Sequence, residues 1–194
     1  MINKKLIKKL TEEILKFREA RNWKQYHSPK NMAISFYIET AELAEYFQYG
    51  FDEVFEQTKK YQQKVADEII DVLWWTLLIA YEYSIELNKN KATKSKNIFK
   101  PRNSLMRIFN SIGKISNELI KSQDIIKKKY KTKNPKILEK ELQNIFNQVV
   151  SFAKFINMDI EKEFYRKLDK NKKRYPIKKA SFLKVFSVKL YKNI

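Results

Sequence analysis

Glu39 and Glu42 stand three residues apart, Glu45 continues their row, and Glu68 and Asp71 repeat the same spacing. On helices, residues at i and i+3 share a face, so each pair points one way. Two such helices packed face to face gather four carboxylates. That is the oxygen donor set a hard cation such as Mg²⁺ takes, at about 2.1 Å. Without a cation, four like charges would repel and some would protonate. The ordinary alternative is a solvated acidic face, where a Glu in a lysine-rich chain finds a base three or four residues away. Around Glu39, Glu42, Glu68 and Asp71 only Lys64 answers that description. Lying beside Trp74, Trp75, Leu77 and Leu78, these acids read as partly buried and metal-paired.

Other residues could recognise what a metal holds. Trp23 and His27 form a W-x3-H connector just before the Glu39 helix. Near a phosphate site, Trp23 could stack on a base and His27 could hydrogen-bond the base or a phosphate. Taken singly, Trp23 is more often a core or hinge aromatic and His27 a surface residue at a helix start. Tyr49 and Trp75 are further pocket candidates on the same terms. Lys167, Lys170, Asn171 and Arg174 recur at three- and four-residue spacing. Such a row is usually solvated, but opposite a carboxylate cluster it would clamp phosphate.

Composition narrows the chemistry. With no Cys there is no disulfide, thiol nucleophile or iron–sulfur cluster. Gly50 and Gly113, the only glycines, cannot build a phosphate-binding Gly-rich loop. His27 is the single histidine, which excludes an HExxH zinc site. The 194 residues carry a formal charge of +19, which points to a polyanionic partner. The charge is unevenly spread: residues 31–88 hold three bases and eleven acids, net −8, and the remainder is net +27. An acidic pocket within a basic shell suits a small triphosphate better than a duplex. The basic start, Met1–Lys9, leads into Leu10-Thr11-Glu12-Glu13 without an apolar stretch, so no signal peptide is expected. The longest near-apolar run, Val72–Tyr81, is about half of what a bilayer needs. The expectation is a soluble, cytoplasmic protein with no membrane partner.

Scarce Gly and Pro, with apolar residues at three- and four-residue spacing, predict an all-α helical bundle. Helices are expected over about 3–21, 29–49, 61–87, 101–131, 135–157 and 159–174, with a shorter piece over 52–60. Ser28-Pro29 supplies an N-cap and first turn. Sliding the chain by 72 residues sets Ser28-Pro29-Lys30-Asn31 on Lys100-Pro101-Arg102-Asn103, and Ile34, Phe36, Tyr37, Leu43 and Phe47 on Met106, Ile108, Phe109, Ile115 and Leu119. At 76, Glu68-Ile69-Ile70-Asp71 meets Asn144-Ile145-Phe146-Asn147. Amphipathic helices share apolar periodicity in any case, but the common P-[KR]-N start and helix order favour a duplication. Its second copy would lack all four acids, with Ser111, Lys114, Asn144 and Asn147 in their places. The expected organisation is a catalytic half over 1–88, a linker over 89–100, a degenerate half over 101–176, and a basic tail over 177–194 without assignment.

Together these residues resemble the all-α nucleotide pyrophosphohydrolases of the MazG-like superfamily, especially its dCTP pyrophosphatase branch. The resemblance rests on Arg21–Asn31 (RNWKQYHSPKN), Glu39–Gln48 (ETAELAEYFQ), Asp67–Leu73 (DEIIDVL) and Lys167–Pro176 (KLDKNKKRYP). It implies a MazG-like tandem-repeat pseudo-dimer and hydrolysis of a (d)NTP, dCTP-like or non-standard, to monophosphate and pyrophosphate. Mg²⁺, or Mn²⁺ in its stead, would be held by Glu39, Glu42, Glu68 and Asp71. Trp23, His27 and Trp75 would line the base and sugar pocket, Asn31 and Tyr49 would belong to the same substrate-binding set, and Lys167, Asn171 and Arg174 would meet phosphate. Glu45 or one of the four ligands would take the proton of the attacking water. Two features depart from the family: Tyr49 follows Gln48 where a Trp is usual, and about 70 residues separate the third helix from the last. The final helix would then serve the first half's site, and the pseudo-dimer could dimerise again. The competing expectation is a basic helical nucleic-acid-binding or scaffold protein without catalysis.

Overall fold

The computed structural model describes residues 2–49, 59–88, 99–125 and 129–177. The possible helix before Lys59, most of the expected linker and the tail beyond Ile177 lie outside the described residues. Six α-helices account for most of the rest: α1 (Lys4–Glu19), α2 (Pro29–Glu45), α3 (Lys59–Glu82), α4 (Pro101–Ile120), α5 (Pro135–Phe155) and α6 (Ile160–Arg174). A single 3₁₀ turn, Trp23–Tyr26, joins α1 to α2. No helix among the described residues is long and apolar enough to cross a membrane.

The helices begin where local chemistry says they should. Asn3, Ser28 and Asp159 each accept a hydrogen bond from the backbone N–H three residues on, satisfying a donor the helix cannot. Pro29, Pro101 and Pro135 open α2, α4 and α5, where a missing N–H costs nothing. Helices α3 and α5 end alike. Ser84 and Asn157 adopt left-handed backbone (φ 57° and 53°), and the next N–H, of Ile85 or Met158, returns to Ala80 or Ala153 at 2.8 and 2.7 Å. These are Schellman caps with a non-glycine residue at the left-handed position.

Three expected ends shift inward. Helix α2 stops at Glu45 rather than Tyr49, because buried Phe47 turns into the core against Phe152 and the Tyr61 hydroxyl takes the Tyr46 carbonyl. The cap at Ser84 stops α3 at Glu82, short of Leu87. Helix α4 ends at Ile120, not Lys131, because its apolar stripe runs out after Leu119 and the Ser122 hydroxyl takes the Glu118 carbonyl. The chain that follows forms a two-stranded antiparallel ribbon, β1 (Gln123–Ile125) with β2 (Lys129–Lys131), pairing Asp124 with Tyr130.

Helices α2 to α5 close a ring in which α2 packs on α3 and α4, and α5 on α4 and α3. Its core holds Met32, Phe36 and Leu43 of α2, Ile69 and Leu73 of α3, Ile108 and Ile112 of α4, and Leu142 and Phe146 of α5. Helices α1 and α6 pack on α3 and on each other, so α3 is covered on several sides. That placement puts α6 beside the carboxylates.

Candidate metal centre

Helices α2 and α3 bring Glu39, Glu42 and Glu68 together. One carboxylate oxygen of each lies within 4.8 Å of the others, all three side chains are half-buried, and the group could hold a metal ion. The Oε2 atom of Glu68 is buried and has no hydrogen-bond partner among the described residues. Burial raises the Glu68 carboxyl to about 7, with Asp71 and Glu42 adding repulsion and the Lys167 ammonium opposing it. An acidic oxygen left bare in a low-dielectric pocket is costly unless a cation or proton meets it.

Asp71, one turn further along α3, is the fourth expected acid, and it takes a different partner. The buried Lys167 ammonium, from α6, forms an ion pair with its Oδ2. Burial works against that ammonium, but the charge and hydrogen bond of Asp71 outweigh it and raise the Lys167 pKa. One turn before Asp71 on α3, Asp67 is buried under Arg166 and under Lys170, the latter at 2.6 Å. Burial alone would raise the Asp67 carboxyl, yet the hydrogen bonds from Lys170 and Arg166 bring it below its ordinary value. Of the expected phosphate row, Lys167 therefore reaches the acids and Lys170 is committed to Asp67. Asn171 is half-buried, and Arg174 is exposed with its guanidinium 5.4 Å from the Tyr175 ring.

The expected base-pocket residues divide in the same way. His27 is buried and lies 5.3 Å from Trp75, edge to face. Trp75 is one turn beyond Asp71 on the face of α3 that carries Glu68, so this aromatic pair borders the acids. Desolvation, helped by the Arg18 charge, lowers the His27 pKa to about 4, which leaves a neutral ring at pH 7. Its Nδ1 is buried without a partner among the described residues, and its carbonyl accepts the Tyr130 hydroxyl at 3.1 Å. Trp23 instead packs between Phe17 and Tyr175 (5.6 and 5.2 Å), the core-aromatic role weighed for it. Asn31 is exposed and donates its amide to the Tyr26 carbonyl. Tyr49 is 88% exposed and accepts from Gln48, and Glu45 is exposed at the end of α2.

A second polar cluster lies between α4 and α5. Glu141 is buried and accepts from the Ser111 hydroxyl (2.7 Å), the Lys114 ammonium (3.2 Å) and the Asn144 amide (3.2 Å). Ser111 and Lys114 are the positions that a 72-residue offset sets on Glu39 and Glu42. The matching caps at Ser84 and Asn157 align α3 with α5 at 73 rather than 76, which sets Glu68 on Glu141 and Asp71 on Asn144. At that offset one carboxylate, Glu141, stands in the second cluster with Lys114 beside it, where the 76-residue offset puts Asn144. Sequence reasoning also missed the buried ion pair of Arg18 with Glu82, which ties α1 to α3. The available signal was spacing, since Glu82 lies seven residues beyond Trp75 and fourteen beyond Glu68.

Compared with protein-family models, curated protein sequences and solved structures, the chain matches none.

Proposed function

We propose that this protein is a divalent-cation-dependent nucleotide pyrophosphohydrolase, cleaving a nucleoside triphosphate between its α and β phosphates. The observation that carries this reading is the convergence of Glu39, Glu42 and Glu68 within 4.8 Å, with the Glu68 oxygen buried and unpartnered. The donor set is all oxygen and acidic, which suits Mg²⁺ or Mn²⁺ rather than a soft metal. Glu39, Glu42 and Glu68 would hold the cation, with Asp71 joining them as Lys167 moves to phosphate. A bound divalent cation neutralises phosphate charge and lowers the pKa of a water, making it a nucleophile at neutral pH.

The chain's own groups supply the rest. Lys167, paired with Asp71, is already at the acids and offers an ammonium to the leaving pyrophosphate. The neutral His27 ring presents one donor and one acceptor, and with Trp75 it would line the pocket for a base. Glu45, one turn past Glu42, is the acid outside the cluster and would take the proton of the attacking water. Water adds to one phosphorus of the α–β anhydride, the bridging P–O bond breaks, and monophosphate and pyrophosphate leave. The ring α2–α3–α5–α4, with like caps on α3 and α5, supports a duplicated arrangement whose second cluster is closed by Lys114.

The test is pyrophosphate release from each common (d)NTP with Mg²⁺ and with Mn²⁺. Release is expected with at least one substrate and is lost by at least about a hundredfold in Glu42→Ala and Asp71→Ala. Full activity in either variant would refute the site.

A further inference from the structure

The acidic site leaves most of the +27 of positive charge without a task, and among the described residues one surface carries seven cations in regular order. On α4, Lys100, Arg107, Lys114 and Lys121 recur every seven residues, and Asn103, Asn110 and Asn117 fall between them. Positions at i, i+3 and i+7 share a helix face, so the seven form one stripe. Every one of them is exposed. The stripe runs the length of a 20-residue helix, about 30 Å, and contains no carboxylate. Lys133, Lys136 and Lys140 on and before α5 are exposed beside it, because Lys114 and Glu118 of α4 meet Glu141 and Asn134 at the start of α5. Of these seven cations only Lys114 makes an ion pair among the described residues, with Glu141 at 3.2 Å.

We infer that the outer face of the α4–α5 hairpin binds the phosphate backbone of a nucleic acid, independently of the carboxylate site. Regularly spaced cations match a polymer of regularly spaced phosphates, and the intervening amides can hydrogen-bond phosphate oxygens or base edges. A 30 Å track with seven cations exceeds what one triphosphate can engage. The composition also disfavours a protein partner, whose interface core would be poor in Lys and rich in aromatic residues. The duplication register adds an independent point. Lys114 and Asn117 occupy the places of Glu42 and Glu45, so a face that is acidic on α2 has become basic and amide-bearing on α4. Where the first face would meet phosphate through a cation, the second meets it directly.

The experiment is fluorescence anisotropy of a short labelled single strand and of a duplex against the full chain, across a salt series, with EDTA present. If four of the six cations other than Lys114 each neutralise one phosphate, affinity falls about 50-fold between 50 and 200 mM salt for the single strand and about 150-fold for the duplex. The triple variant Arg107→Glu, Lys121→Glu, Lys136→Glu, all exposed positions, is expected to weaken binding at least about tenfold and flatten that slope. The variant Lys5→Glu, Lys8→Glu, Lys162→Glu makes the same charge change on α1 and α6. Equal weakening by this control would overturn the inference, since net charge rather than the face would then govern binding. So would absence of oligonucleotide binding at 50 mM salt, or tighter binding to vesicles of anionic lipid than to either oligonucleotide.

Discussion

Replacing Glu68 by Gln should stabilise the metal-free protein at pH 8 while removing its response to divalent cation. The Glu68 carboxyl is raised from its ordinary value of 4.5 to about 7, chiefly by burial. An acid whose folded pKa is raised binds its proton more tightly in the native state, so it favours folding at low pH. Its contribution is lost as pH climbs from about 4.5 through 7, and the full loss is about 3 kcal/mol. His27 acts oppositely. Its pKa is lowered from 6.5 to about 4, so stability is lost as pH falls below 6.5, again by about 3 kcal/mol. Between pH 4.5 and 6.5 these two contributions oppose one another. Glu68→Gln removes one of them. Denaturant unfolding in EDTA should therefore show parent and variant equal near pH 4.5, with the variant about 3 kcal/mol more stable at pH 8. For a chain of this length that is a Tm difference of roughly 6 to 12 °C. Mg²⁺ should raise the parent's stability at pH 8 and leave the variant unchanged. Equal stability of parent and variant at pH 8 in EDTA would refute the reasoning, because it would mean that Glu68 titrates as an ordinary carboxyl.

Glu82→Ala should cost about 1 to 3 kcal/mol in equilibrium unfolding, because the buried Arg18 guanidinium loses one carboxylate partner and keeps the other, Glu19, at 2.8 Å. Gly113→Ala should stabilise by roughly 0.5 to 1 kcal/mol in the same assay. It lies inside α4, and an added Cβ would sit 3.6 Å from the Tyr37 hydroxyl, an ordinary contact. Lys167→Met should lower metal-free stability by exposing Asp71 to its own burial cost, and should enlarge the Tm rise produced by Mg²⁺, since four acids would then meet the cation unaided. A smaller Mg²⁺ effect in Lys167→Met would contradict that role.

What the sequence disclosed is what short spacing governs. Ser28-Pro29, Pro101, Asn134-Pro135 and Asp159 mark helix starts because a cap acts within three residues. The carboxylate pairs were visible because a helix face is itself a local property. The pairing of distant charges was not. Asp67 with Arg166, Arg18 with Glu82 and Glu141 with Lys114 depend on which helices meet, and periodicity does not say that. Offsets of 73 and 76 between α3 and α5 differ by a three-residue slip, which rotates a helix by only about 60°, so the apolar pattern survives either alignment. Only the caps at Ser84 and Asn157 distinguish 73 from 76. The ribbon after Ile120 was read as helix because nothing in so short a segment competes with the periodicity before it.

The boundary drawn between two halves at residues 89–100 does not coincide with the boundary of the site. Helix α6 follows α5 in the chain, yet it packs on α1 and α3. From there it delivers Lys167 to Asp71 and Arg166 with Lys170 to Asp67. Asp67 and Asp71 flank Glu68, so the helix that carries one of the cluster's acids is held in place by cations encoded about a hundred residues later. A chain cut after residue 88 would keep Glu39, Glu42 and Glu68 but lose every one of these partners. The apolar faces of α2 and α3 that α4, α5 and α6 cover would also be opened to water, at the cost of the burial that holds these helices in place. Residues 101–176 are thus required by the acids that α2 and α3 carry.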